Sequence, residues 1–235
     1  MPKKSEKSGL PTSPDNPSRM PVPPAEPAGP LNLKRTLPPE PMDIAAKRAN
    51  HYFDDSANAG DYHYTHNCQR CVWATELRAR GYDVEAMPAH GKNDPQAYQH
   101  TPESFLKVGD PPLTLNQVDA GKYRLHWDSP KRLSGKVIDE HIRSQYPDGS
   151  RGMIVMHGAR SGHVINWELR DGKVSYYDGQ VAGAETKGNY YSLDKASDIA
   201  KHYSYVATAR MDNVGLNNNL ISQFVRERKE NNKYY

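Results

Sequence analysis

The chain of 235 residues has few of the residues that build cores and staples: two cysteines, three phenylalanines and three tryptophans. Two cysteines cannot frame a domain of this size, which excludes a disulfide scaffold. No apolar run approaches the ~20 residues that a membrane-spanning helix needs, so no membrane partner is expected. The opening "MPKKSEKSGLPTSP" has basic residues but no apolar centre. It does not read as a secretory signal, and a soluble protein is expected, cytoplasmic in its producer unless exported by a non-classical route. Apolar residues make up 36% of the chain and the mean hydropathy is −0.91, so part of it is not expected to fold. Charge of one sign is scarce too. The net +3 is carried by residues 1–50, with eight basic and five acidic side chains, and the remainder is neutral. Without a basic stripe and interleaved aromatics, nucleic acid is not an expected partner.

Proline is abundant, and unevenly so. Twelve of the 19 prolines fall within residues 1–41, in runs such as "PSRMPVPPAEPAGP". Such a stretch cannot bury enough apolar surface to offset the entropy of ordering it. Residues 1–60 therefore read as a disordered Pro-rich arm, with a short helix over "MDIAAKRANHYFDDSANAG" leading out of it, and residues 61–235 as the folded domain. In the domain, "QRCVWATELRARG" predicts a helix closed by glycine, and "YDVEAMP" a short strand. "SGKVIDEHIRSQYPDG" predicts a second helix with Ser134 as its N-cap. "RGMIVMHGA", "HVINWELR", "KVSYYDGQ" and "YSYVATARM" are strand-like, and "NNNLISQFVRERKENNKYY" reads as a closing helix. The expected class is α+β, an N-terminal helix packed on an antiparallel sheet.

Both cysteines lie in "HNCQRCVWATELRARGYDVEA", three positions apart at the start of the first domain helix. Four chemistries use such a pair. Zinc could be held by His63, His66, Cys68 and Cys71, although four ligands in nine residues is denser than the usual two separated clusters. A redox CxxC normally follows a strand in a βαβ unit, and the lead-in here is not strand-like. Two inert buried thiols are a third reading. The fourth is a nucleophile, because a helix N-terminus and a neighbouring histidine both favour a thiolate.

A second stretch bears on that choice. In "GHVINWELRDGKVSYYDGQ", Asp171-Gly172 between two strand-like runs is a strong two-residue hairpin signal. With that turn, Arg170 faces Lys173, Ile165 faces Asp178 and His163 faces Gln180. One side of the ribbon then carries His163, Ile165, Trp167, Leu169, Val174, Tyr176, Asp178 and Gln180, and it is the apolar, core-facing side. His163 and Asp178 form a diagonal pair with backbones about 7–8 Å apart, a span that a carboxylate–imidazole hydrogen bond can bridge. A carboxylate there would fix the tautomer and stabilise the imidazolium.

"NCQRCVWATELRARGYDVEA" followed by "GHVINWELRDGKVSYYDGQ" resembles the papain-fold toxin family Tox-PL, papain fold toxin 1, a family of glutamine deamidases. The resemblance spans residues 66–181 in two blocks. It implies a papain-like cysteine-hydrolase fold and a Cys-His-Asp triad for amide chemistry, falling on Cys68, His163 and Asp178. "CQRCVWA" also resembles the papain signature "CGSCWAF", whose second cysteine attacks, which makes Cys71 the alternative nucleophile; Gln180 is a candidate support. The implied partner is a protein substrate bearing a reactive glutamine, met by a toxin or effector with a cognate inhibitor; cleavage of a main-chain amide by the same machinery, a cysteine protease, is the alternative. No cofactor and no metal is implied. Similar domains also occur in phage head-associated proteins, so a structural or cargo role, with the arm contacting a phage particle or carrier, is the non-enzymatic rival.

Overall fold

The computed structural model describes residues 33, 35–60, 62–89, 124–125, 134–159, 162–184, 193–212 and 221–228. Three helices come first: α1 (Met42–Ala49), α2 (Phe53–Asn58) and α3 (Cys68–Ala79). Strands β1 (Val84–Ala86) and β2 (Arg124–Leu125) and helix α4 (Gly135–Gln145) follow. The antiparallel run β3 (Arg151–His157), β4 (Gly162–Arg170) and β5 (Lys173–Tyr177) leads to α5 (Ala196–His202), β6 (Tyr205–Arg210) and β7 (Val225–Glu227).

The local chemistry that closes α3 is legible in its last turn. Gly81 takes φ +94°, and the amides of Gly81 and Tyr82 bond back to the carbonyls of Arg78 and Leu77 at 2.9 and 3.1 Å. That is the paired C-terminal cap a left-handed glycine permits. Helix α4 starts where Ser134 Oγ accepts from the Val137 amide. At the hairpin, Asp171 and Gly172 both have positive φ, as a type I′ turn requires, and Asp148 holds both their amides through its carboxylate.

Five strands form one antiparallel sheet in the order β2-β6-β3-β4-β5. The β4–β5 register pairs Arg170 with Lys173, Leu169 with Val174 and Asn166 with Tyr177, as the turn predicts. Both faces of this sheet are buried. Ile154, Met156, Ile165, Trp167, Leu169, Val174 and Tyr176 pack under α4 and α5, with Ile138, Ile142 and Ile199. Burying each such aliphatic side chain contributes about 1.5–3 kcal/mol. Across the sheet Met153, Val164 and Ala209 pack under α3, against Cys71, Val72 and Trp73. The hairpin was expected to have one apolar face, yet its second face, with Val164, Asn166 and Glu168, is also covered. Helices therefore flank the sheet on both sides.

One expectation is corrected. The segment expected to close the chain as a helix contains β7, which pairs antiparallel with β1 (Val84 with Glu227, Ala86 with Val225). Ahead of residue 61, helix α1 packs on the domain. Met42, Ala45, Ala46 and Ala49 of α1 are buried, and Ala49 joins the α3 core. Glu40 clasps the buried Arg78 guanidinium through both oxygens, at 3.0 Å each. Leu37 donates its amide to Gly81 O, and no Cβ would fit at Gly81, because it would lie 2.5 Å from Leu37 O. Helices α1 and α2 thus both precede residue 61.

Candidate active site

The site is assembled where three elements end together: the start of α3, the start of β4 and the turn after β5. Asn67 is the N-cap residue of α3, and its side chain makes no capping bond. The helix's own ladder begins with the Arg70 and Cys71 amides, which donate to Asn67 O at 2.8 and 3.1 Å. The amide of Cys68 thus lies ahead of the ladder, in the electropositive first turn. From Arg70 to Ala79 every residue of α3 is buried, whereas Cys68 is partly exposed.

Asn166 Nδ2 of β4 donates to Val72 O of α3, which ties the strand to the helix. Three residues before Asn166, where β4–β5 pairing ends, lies the histidine. His163 Nε2 stands 2.9 Å from Asp178 Oδ2, with the histidine side chain 12% exposed and the aspartate 2%. The diagonal contact expected from the hairpin register is thus made by the side chains. Asp178 is held by its other oxygen as well, since Oδ1 accepts from the Gln180 amide at 3.2 Å. Its backbone carbonyl takes the amides of Val181 and Ala182, making a compact turn. Gly179 lets this turn approach α3: a Cβ there would lie 2.5 Å from Thr75 Oγ1 and 3.4 Å from Cys71 O.

Cys68 acts on the same imidazole and adds to what raises it. With Nε2 engaged by Asp178, Nδ1 is the ring nitrogen that remains for a second partner. Burial alone would pull His163 down, but the Asp178 carboxylate, through charge and hydrogen bond, and then Cys68 hold it well above the usual histidine range. These partners thus favour the protonated ring over what burial alone would allow.

Cys71 has a different environment. It is 1% exposed, and its thiol donates to Asn67 Oδ1 at 3.3 Å. Burial pushes this thiol well above the usual cysteine range, and the charges of Cys68 and Asp178 push it further. A thiol so held is a packing group and a hydrogen-bond donor. Both cysteines are free. Gln180, 7% exposed, serves the aspartate through its backbone, and its side-chain Nε2 has no partner among the described residues.

The four residues considered for zinc do not gather. His63 Nδ1 meets Ala89 O, His66 Nδ1 meets Thr65 Oγ1, and no cluster of three or more His, Cys, Asp or Glu among the described residues could hold a metal ion. Among those residues, too, no helix is long and apolar enough to cross a membrane.

Sequence reasoning missed Asn50. It is 8% exposed, its Nδ2 donates to Tyr64 O and Gln180 O at 2.9 Å each, and its Oδ1 accepts from Asn67 Nδ2 at 3.0 Å. An asparagine after an Ala-rich helical run reads only as a helix terminator, and no spacing rule connects it with residues 67 and 180.

No curated protein and no solved structure matches the chain. A family model does, that of papain fold toxin 1, glutamine deamidase, over residues 66–183, half of the chain. That match begins just ahead of Cys68 and ends just past the Asp178 turn, and the chain belongs to the papain fold toxin 1, glutamine deamidase family.

Proposed function

We propose that this protein is a thiol amidohydrolase that converts a glutamine side chain of a target protein to glutamate, with Cys68 as nucleophile, His163 as acid and base, and Asp178 as the group that orients His163. The observation that carries the proposal is the His163–Asp178 pair at 2.9 Å, together with Cys68, the partly exposed cysteine that acts on the same imidazole. In the resting pair the ring is an imidazolium, with Nε2–H donated to Asp178 and Nδ1–H to the sulfur.

The sulfur attacks the carboxamide carbon. The oxyanion that forms lies at the mouth of α3, where the Cys68 amide and the positive end of the helix favour negative charge. His163 Nδ1 gives its proton to the departing nitrogen, and ammonia leaves a thioester on Cys68. The now neutral ring takes a proton from water, hydroxide adds to the thioester, and collapse releases glutamate and restores the pair. Each step uses one proton on one nitrogen, so fixing the ring by Asp178 orients both half-reactions. Family membership supports glutamine as the amide, and the partner is then a protein that presents an exposed glutamine to the Cys68 sulfur.

The test is incubation of the full chain with glutamine-bearing proteins and peptides, following ammonia release and intact mass. The expected result is ammonia together with the mass gain of a single amide-to-acid conversion, absent from Cys68→Ala and His163→Ala. Peptide fragments without conversion would reassign the enzyme as a protease. Conversion that persists in Cys68→Ala would overturn the assignment of the nucleophile.

A further inference from the structure

We propose that Asn50, on the segment that precedes the family-matched residues 66–183, is a positioning residue that locks the Asp178 turn to the start of the helix carrying Cys68. The inference rests on the triad reading above and adds a residue to it.

Asn50 ends α1, and its carboxamide is satisfied at every hydrogen-bonding edge it presents to the protein. One Nδ2 hydrogen goes to Gln180 O and the other to Tyr64 O, while Oδ1 receives Asn67 Nδ2. Each contact reaches a different part of the site. Gln180 is the residue whose amide holds Asp178 Oδ1. Asn67 is the N-cap residue directly before Cys68, and its remaining Nδ2 hydrogen goes to Met87 O while its Oδ1 takes the Cys71 thiol. Tyr64 lies in the lead-in to α3. One side chain thus bridges the acid turn and the nucleophile's helix start.

Two close approaches place α1 against the same turn. A Cβ on Gly179 would lie 3.5 Å from Ala49 Cβ, and one on Gly183 would collide with Lys47 O. The turn thus meets the end of α1 at Gly179, Gln180 and Gly183. Asparagine is the residue type this joint requires, because it supplies two donors and one acceptor in one plane. Alanine would strand two carbonyls and an amide in a buried site, and aspartate would set a carboxylate against two carbonyl oxygens. In either case the turn that carries Asp178 loses its tie to the end of α1, and a small displacement of an orienting group is felt in the rate.

The test reads the rate of iodoacetamide alkylation at Cys68 across pH, mapped by peptide mass, in the full chain and in Asn50→Ala, Asn50→Asp, His163→Ala and Glu40→Gln. Glu40→Gln loosens the same N-terminal segment at the far end of α3, about 15 Å from Cys68 by helical rise. At temperatures where circular dichroism shows each chain folded, the Asn50 variants should label Cys68 roughly tenfold more slowly or worse at neutral pH. Their His163-dependent alkaline limb should move down toward the ordinary histidine range. Glu40→Gln should lower the thermal midpoint and leave the pH profile in place, which separates positioning from general loss of stability. A folded Asn50→Ala or Asn50→Asp with the parent profile overturns the role of Asn50, provided His163→Ala is altered. An unaltered His163→Ala sinks the triad reading itself. Should neither Asn50 variant fold, nuclear magnetic resonance of the unmodified chain decides. The Asn50 carboxamide hydrogens should exchange slowly and shift as His163 titrates, and fast exchange with no response to that titration overturns the proposal.

Discussion

At the scale of the residue, two thiols one helical turn apart are driven to opposite roles by burial. Cys71 lies within the core with its proton donated to Asn67 Oδ1, whereas Cys68 is partly exposed and acts on His163. Cys68→Ala should therefore abolish iodoacetamide labelling at neutral pH, while Cys71→Ala should keep labelling at Cys68 and cost stability, about 1–2 kcal/mol for a lost buried hydrogen bond. Labelling and a thermal melt check both. The histidine carries a pH dependence whose sign follows from its raised value. Its stabilising contribution is complete below the ordinary histidine range and fades as pH rises through the raised folded value. Thermal midpoints of the parent and His163→Gln should thus differ most at acidic and neutral pH and converge in alkali; a difference that instead grows with pH would contradict the pairing with Asp178. The two members of the histidine pair were legible in the sequence because a two-residue turn fixes register, and register fixes which side chains are diagonal neighbours. The choice between the cysteines was open there, since a helix buried on every side offers no amphipathic stripe to read.

At the scale of the element, α3 is the structural centre, and its middle is held by charge. Glu76 is wholly buried and takes Arg80 at 2.8 Å and Arg151 of β3 at 3.0 Å. Burial raises its carboxyl, but the two guanidinium groups outweigh this and hold it below the usual carboxylate range. Glu76→Gln removes the buried carboxylate that both cations share at the helix–sheet contact and should cost about 3–5 kcal/mol. The sign in pH is the reverse of the histidine's: the contribution of Glu76 is present above the unfolded carboxylate value and lost as pH falls through the lowered one. Denaturant melts of parent and variant should converge in acid, and equal stability at neutral pH would refute the account. Elements built on local signals were legible, among them the Gly81 cap, the Ser134 cap and the Asp171-Gly172 turn. Those set by distant partners were not. The strand Val225–Glu227 lies in a polar stretch of helical appearance and is extended because β1 offers it an edge. Helix α1 is short, and only the packing of its alanines on α3 shows that it belongs to the domain.

At the scale of the whole molecule, the N-terminal segment is where composition and structure part. Proline content sets an expectation of disorder up to residue 60, but propensity says nothing about long-range ion pairs, and Glu40 lies 38 positions from the arginine it serves. Arg78 is 1% exposed and spends its guanidinium on Glu40, Asp83 and Val84 O. Without Glu40 a buried cation would lose its bidentate partner, which is costly in a way that loss of an exposed pair is not. Deleting residues 1–60 would remove that carboxylate, the α1 surface that covers Ala79 and α3, and the Asn50 joint together. A chain beginning at Leu33 keeps every one of these contacts. The two truncations therefore separate the readings of the arm: the chain from Leu33 should melt cooperatively near the parent midpoint and label Cys68 at the parent rate, whereas the chain from residue 61 should fail to give a cooperative melt. Equal melts for the two would mean that the helical segment 42–58 is dispensable, and the site would then have to be held by residues 66–183 alone.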